Sequence, residues 1–516
     1  IATLLATSLA GPGASSASAR TQRATGGGGY CRNAGPLPTL PRESINHQNN
    51  QMPMRAEAAG VAAPPPPASP TPRMAAPALP SMDVAAAEAG AEAGADDGAG
   101  EIIVTSAAIR RPESTSPSFR APPRAADAAA AIARPPRAPN PVTSGVVTAG
   151  EHDDILNPEL YAQYVRASQM AQRLPALPVL DTSRLLTVRV ADANGRGVPF
   201  ANVTITCNDG HRITMATQAD GTAIFFPDVD RLSPNVIVGA SYAGRALGGN
   251  RRVDIGRATG VQNVGFSIGQ PAPAVQKLDL MLVVDATGSM GDEINYLKAE
   301  LQSIVTSLQQ RHAGLDVRVG FVFYRDTDDD FVTQTVPFTR DMADAQGSIA
   351  QIYAGGGGDF PEAMDQALIR AVGQSWRADA TKTMLLVADA PPHDRQSGRA
   401  WAAAEAARAA RIQIVPVAAS GVEDQAEYIM RAMAAATQSR YLFLTNDSGV
   451  GADHAAPSID CYLVTRLDAL LRRVIDSQIS GRRIEPASTE VIRTVGVYDA
   501  GRCTIPTQTS VGKPRG

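Results

Sequence analysis

From Leu278 onward, hydrophobic residues fall into short unbroken runs separated by longer stretches at helical spacing. Leu278–Val284 is an almost continuous apolar run, the pattern of a parallel strand buried on both faces. Asp292–Arg311 places Ile294, Leu297, Leu301, Ile304, Val305 and Leu308 on one stripe, which predicts an amphipathic helix. Val317–Tyr324 and Phe331–Phe338 flank Arg325–Asp330 and read as a hairpin, making one edge strand antiparallel. Pro361–Trp376 and Arg399–Arg411 are predicted helices, and Thr383–Ala388 and Ile412–Ala418 are predicted buried strands. Tyr441–Leu444 is expected to close the sheet, with a last helix over Tyr462–Ile479 packing through Leu463, Leu467, Leu470, Leu471, Val474 and Ile475. Strand and helix alternate over 277–480, which predicts a doubly wound, mostly parallel, Rossmann-like α/β sheet.

The period changes upstream. Leu186–Val190, Ala201–Ile205 and Ile213–Thr217 alternate apolar and polar, with turns at Asn194-Gly195, Asp209-Gly210 and Asp220-Gly221. This predicts a small all-β sandwich over 184–270. The order V-x-D-x-x-G-x-x-V-P-x-A-x-V followed by T-x-x-D-G-x-x-x-F resembles the carboxypeptidase-regulatory-like β-sandwich family, which implies a spacer or binding accessory. Pro158–Leu174 reads as one helix within a linker over 151–180, with Asn157 as N-cap and Pro158 at the first helical position. Gly269–Gln276 is a short Pro/Ala hinge into the α/β domain.

Composition changes the picture mainly at the start. Residues 20–150 are rich in Pro, Ala and Gly, cannot bury enough apolar surface to offset chain entropy, and are expected to be a long disordered N-terminal region. Ile1–Ala10 followed by Ala17-Ser18-Ala19 reads as a truncated signal peptide over 1–19, hence export to periplasm, cell envelope or outside. Within the tether, Glu101–Thr115 resembles the E-I-V-V-T segment near the mature start of many TonB-dependent outer-membrane proteins; a chance Ile-Val cluster reads equally well. No later run is apolar enough to span a membrane. A net charge of −4 without a basic stripe argues against nucleic acid as partner. Cys31, Cys207, Cys461 and Cys503 lack C-x-x-C spacing, which removes zinc and thioredoxin-type readings. Cys461 and Cys503 are the pair nearest in sequence, while connectivity, or reduced thiols, stays open. Residues 481–516 read as a C-terminal tail.

In doubly wound sheets, ligands sit at the carboxyl ends of strands. Asp285, Thr287 and Ser289 follow the first strand, Asp359 follows Gly355–Gly358, and Asp389 ends Thr383–Ala388. Alternate residues of a tight turn can aim Asp285, Thr287 and Ser289 at one point, and a hard cation such as Mg²⁺ takes such oxygen ligands. Neutral hydroxyls leave the metal under-neutralised and able to attract a partner's carboxylate. The glycine run lacks a following Gly-Lys-Ser/Thr, which argues against nucleotide binding. Thr287 stands where a hydrolase elbow around Ser289 would need Gly, and no triad has support; His393 is expected to pack its loop or touch the site rim. Asp328–Asp330 reads as a solvated hairpin tip and Glu362 as a first-turn helix residue.

Asp285-Ala-Thr-Gly-Ser-Met290, in this α/β pattern, resembles the metal-ion-dependent adhesion site of von Willebrand factor A domains. The resemblance implies Thr287 and Ser289 as direct ligands, with Asp285 and Asp389 acting largely through water. Where the family usually carries Thr, this chain reads Gly355–Gly358-Asp359-Phe-Pro-Glu362, so Asp359 is expected to take that place. It would add negative charge, weaken the metal's grip on a partner carboxylate, and favour Ca²⁺ or Mn²⁺. The expectation is an exported, non-enzymatic protein that captures an unidentified protein partner through a divalent cation, Mg²⁺ foremost. The alternative is a subunit of a larger metal-insertion or protein-processing assembly.

Overall fold

The computed structural model describes residues 29–43, 145–257, 260–358, 360–448 and 454–504. The signal-peptide reading, most of the tether with Glu101–Thr115, Asp359 and residues 505–516 lie outside the described residues.

In chain order the elements are β1 (Thr148–His152), α1 (Pro158–Ser168), α2 (Met170–Arg173), β2 (Leu186–Ala191), β3 (Asn202–Cys207), β4 (Arg212–Ala216), β5 (Thr222–Phe225), β6 (Asn235–Tyr242), β7 (Arg245–Ala246), β8 (Arg251–Asp254) and β9 (Gln262–Ser267). There follow β10 (Lys277–Asp285), α3 (Gly291–Arg311), β11 (Asp316–Tyr324), β12 (Thr333–Thr339), α4 (Met342–Ala350), α5 (Met364–Val372), β13 (Thr381–Ala388), α6 (Ser397–Ala409) and β14 (Ile412–Ala418). The chain continues through α7 (Asp424–Ala436), β15 (Tyr441–Thr445), β16 (Tyr462–Arg466), α8 (Leu467–Ser480), β17 (Arg493–Val495), β18 (Tyr498–Asp499) and β19 (Arg502–Cys503).

One sheet runs β12-β11-β10-β13-β14-β15-β1-β16-β17. Strands β11, β10, β13, β14 and β15 are parallel, and β12, β1 and β17 pair antiparallel with their neighbours. Successive residues of β10 bury on opposite faces. Leu280, Leu282 and Val284 join α3 and α8, whereas Met281 and Val283 join α5, α6 and α7. That division explains why the strand is apolar without alternation. Pro416 sits in β14, and pairing of β14 to β15 begins only at Val417, past the residue that lacks an N–H.

Strand β1 corrects the expected boundary between tether and linker. Thr148–His152 lies within the α/β sheet, paired to both β15 and β16, so β2–β9 sit between two strands of one sheet. Tyr441–Thr445 therefore does not close the sheet. The predicted helix over Tyr462–Ile479 is also corrected, since Tyr462–Arg466 forms β16 and only Leu467–Ser480 is helical. The β-prone, alternately buried Tyr462-Leu-Val464 carried apolar residues that also matched the stripe of the helix after it. Strands β17 to β19, with Cys461 and Cys503 disulfide-bonded at a Cα separation of 5.7 Å, turn part of the expected tail into fold.

The single helix expected over Pro158–Leu174 is broken at Gln169, which takes a left-handed conformation (φ 55°). Asn157 holds the N-cap position with Pro158 first in the helix, but its side chain makes no cap hydrogen bond and instead donates to Asp153 O and Gly501 O and accepts from Cys503 N. Two helices, α4 and α7, were not anticipated.

Strands β2–β9 form two sheets, β5-β2-β9 and β4-β3-β6 with β7 and β8, around one apolar cluster that includes Val188, Val203, Ile205, Phe225 and Val238. Cys31 is disulfide-bonded to Cys207 of β3. Residues 29–43 then run along the α/β domain, where Leu37 and Leu40 join its core and Glu43 accepts from Thr333 and Thr335. Buried Arg408 of α6 ties the two parts together through a bidentate pair with Asp230.

Candidate metal centre

Strand β10 delivers Asp285, fully buried, to the carboxyl edge of the sheet, level with Tyr324 at the end of β11. The chain then turns sharply. Asp285 Oδ1 accepts from Thr287 N at 2.9 Å and from Thr287 Oγ1 at 2.6 Å, and Thr287 Oγ1 lies 3.3 Å from Ser289 Oγ. A short 3₁₀ turn over Gly288–Met290 leads directly into α3. The D-x-T-x-S spacing thus clusters one carboxylate and two hydroxyls.

Two further loops converge. Asp389 follows β13 and is almost fully buried, close enough to Asp285 to repel its charge. The glycine loop crosses above the turn, with Gly288 N donating to Gly356 O and Gly355 N to Ala286 O. Gly356 and Gly357 have φ near +75°, and a Cβ on Gly357 would lie 3.0 Å from Glu362 Oε1 and 3.2 Å from Thr287 Cβ. Only glycine serves there.

Glu362 departs from its expected place in a helix. It precedes α5, its N–H bonds Pro391 O, and its side chain is buried beside the glycine loop and Thr287. Asp329 is corrected as well: rather than a solvated tip, it accepts from Asp326 N and Gly357 N and holds the glycine loop. Arg325, also buried, donates to Ala286 O and Tyr353 O and stacks on Phe331 and Tyr353, tying three loops together. His393 reaches Asp326 at 2.7 Å on the rim, as one of its two expected roles.

The electrostatics are those of crowded acids. Burial, then the charge of Asp389, pushes Asp285 up to about 7. Burial, then Asp285, Asp326, Asp329 and Asp389, pushes Glu362 up to about 9. No cation is among these principal influences. The Tyr324 hydroxyl is buried beside Asp285 and acts on it as a weak hydrogen-bond donor, whereas Glu362 Oε2 is buried without a hydrogen bond, and neither carboxylate faces a cation among the described residues. Burying unpaired carboxylates is costly, and a hard cation among them would relieve that cost. The donor set therefore fits such an ion. Among the described residues, no group of three or more His, Cys, Asp or Glu side chains is arranged as a metal cluster. The set here relies on two hydroxyls instead, with Asp359 outside the described residues.

The von Willebrand factor A domain family matches residues 279–453, and the chain carries such a domain there. It is 32% identical over 123 residues to the alpha-protein kinase vwkA of Dictyostelium discoideum, covering 23% of this chain and 19% of that protein. It is 34% identical over 125 residues to an ariadne-like RING finger protein of Acanthamoeba polyphaga mimivirus, covering 24% and 12%. The chain thus spans less than a fifth of the curated relatives it matches. Among solved structures, the conserved hypothetical protein BatB of Bacteroides thetaiotaomicron aligns over 39% of this chain and 98% of its own, with 14% identity and a TM-score of 0.27.

Proposed function

We propose that this von Willebrand factor A domain binds a divalent cation, Mg²⁺ foremost, at the carboxyl edge of its sheet and uses it to capture a protein partner. Von Willebrand factor A domains commonly mediate protein interactions. The observation that carries the reading is fully buried Asp285, with no cationic partner among the described residues, beside two hydroxyls and two further buried carboxylates.

Thr287, Ser289, Asp285 and Asp389 would hold the ion, and Glu362, near enough to Asp285 and Asp389 to feel their charge, would add its own. Asp359 would add a further carboxylate from the glycine loop. Once bound, the cation supplies an open acceptor for a carboxylate of the partner. The chain's own part is to hold the ligands in place: Arg325 fixes the loops, Asp329 the glycine run, and Gly356 and Gly357 keep the approach free of side chains.

The role is binding rather than catalysis. Ser289 contacts Thr287, while His393 is engaged by Asp326 and His454 by Asn446 and Ser420. We read the protein as exported. The pairs Cys31–Cys207 and Cys461–Cys503 are in disulfide geometry, which suits an oxidising compartment, and no helix among the described residues is long and apolar enough to cross a membrane.

The test is recovery of partners from native envelope extract by wild-type protein in Mg²⁺, wild-type protein in chelator, and Asp285→Ala. A partner retained only by wild type in Mg²⁺ supports the reading, and equal recovery in all three refutes it. Replacing Asp359 by Thr should tighten partner binding.

A further inference from the structure

A second site lies at the opposite end of the sheet from Asp285. A cleft of about 240 Å³ opens where the β5 turn, the start of β15 and the end of α8 meet. Its carbon-rich wall is made by Ile155, Leu156, Ile224 and Val474.

Its polar groups divide unevenly into those already committed and those left over. The acceptors are largely spent. Asp153 takes Arg483 and the N–H groups of Ile155 and Leu156, and Asp220 takes the hydroxyl and N–H of Thr222. The donors are not. Ser439 Oγ is buried in the wall with no hydrogen-bond partner. Gln438 and Gln478 each use the amide oxygen, on Thr222 and Thr383, leaving their N–H groups over. Arg482 is exposed at the rim and has no acidic partner among the described residues, whereas neighbouring Arg440 and Arg483 both have theirs. Gln413 contributes a leftover amide oxygen, its N–H bonding Gln438 O.

A buried hydroxyl without a partner costs stability unless a ligand or water meets it. Surplus donors and one unpaired guanidinium call for an acceptor-rich anion, and the apolar wall calls for a carbon skeleton. We propose that this cleft binds a small organic anion, carrying a carboxylate or a phosphate ester, between the β module and the base of the α/β sheet. The site is independent of the metal centre and of the function proposed for it.

The test is calorimetric titration of the intact, metal-stripped chain with succinate, glycerol 3-phosphate and inorganic phosphate in turn. The expected result is one site per chain for succinate or glycerol 3-phosphate, the stronger of the two identifying the head group. Inorganic phosphate should bind more weakly. Arg482→Glu should weaken binding about tenfold or more and Ser439→Ala less, with unchanged melting of both variants, while Asp285→Ala leaves binding intact. No binding of either organic anion would overturn the proposal. So would inorganic phosphate matching them, equal binding in Arg482→Glu and Ser439→Ala, or loss in Asp285→Ala.

Discussion

Strand β10 carries two fully buried aspartates, Asp279 near its start and Asp285 at its end. Asp279 is gripped by Arg318 through two bonds of 2.9 and 2.7 Å, and by Arg377 through Nε and the backbone N–H. Asp285 meets the Thr287 hydroxyl and N–H, the Tyr324 hydroxyl and other acids, and no cation among the described residues. The same contrast recurs between Glu151, held well below the usual range at about 2 by Arg440, Arg473 and Arg483 against the opposing effect of burial, and Glu362, pushed up to about 9. A buried acid with its own cation belongs to the fold. A buried acid without one has its pKa raised instead, and under the proposed function a bound cation would offset that cost.

The largest expected effect lies on the paired side. Asp279→Ala strands Arg318 and leaves Arg377 only Asp316 as an ion-pair partner, and should cost about 3–5 kcal/mol of unfolding free energy, equally with Mg²⁺ or chelator, as read by denaturant melts. Asp285→Asn should do the reverse in chelator, leaving stability unchanged or raising it by about 1 kcal/mol, since it removes an unpaired charge. A loss in chelator as large as that of Asp279→Ala would erase the distinction.

pH sharpens it further. Asp285 and Glu362 have folded-state pKa values raised to about 7 and about 9, so the folded chain keeps protons that the unfolded chain releases above the ordinary carboxylate values of 3.8 and 4.5. Their contribution to metal-free stability therefore falls as pH rises from there toward 9. Glu151 and Asp154, lowered to about 2, contribute fully above those ordinary values and are lost only as pH drops toward 2. Thermal melts in chelator should show the decline on the alkaline side, and Asp285→Asn should flatten it between about 4 and 7. The smallest effect is Glu362→Gln, which should weaken Mg²⁺ binding a few-fold in calorimetry without changing partner identity.

Much of the α/β domain was legible because its strands are buried on both faces, so β10, β13 and β14 announce themselves as apolar runs. Strand β1 was hidden: Thr-Ala-Gly-Glu-His carries no apolar pattern, and Gly150 is there because Phe443 packs where its Cβ would be. Glu151 in that strand is buried only because three arginines from distant segments meet it. The turn Asp285-Ala-Thr287-Gly-Ser289 could be read locally, since the side-chain hydrogen bonds that cluster its oxygens link residues two apart. Glu362, Asp329 and Arg325 could not, because their roles depend on loops that meet only in the folded sheet.

The most direct measurement is calorimetric titration of chelator-stripped protein with Mg²⁺, wild type against Asp285→Ala. The account predicts one binding site in wild type and none in the variant, with both folded by circular dichroism. The absence of Mg²⁺ binding by wild type, or the same isotherm in Asp285→Ala, would contradict it.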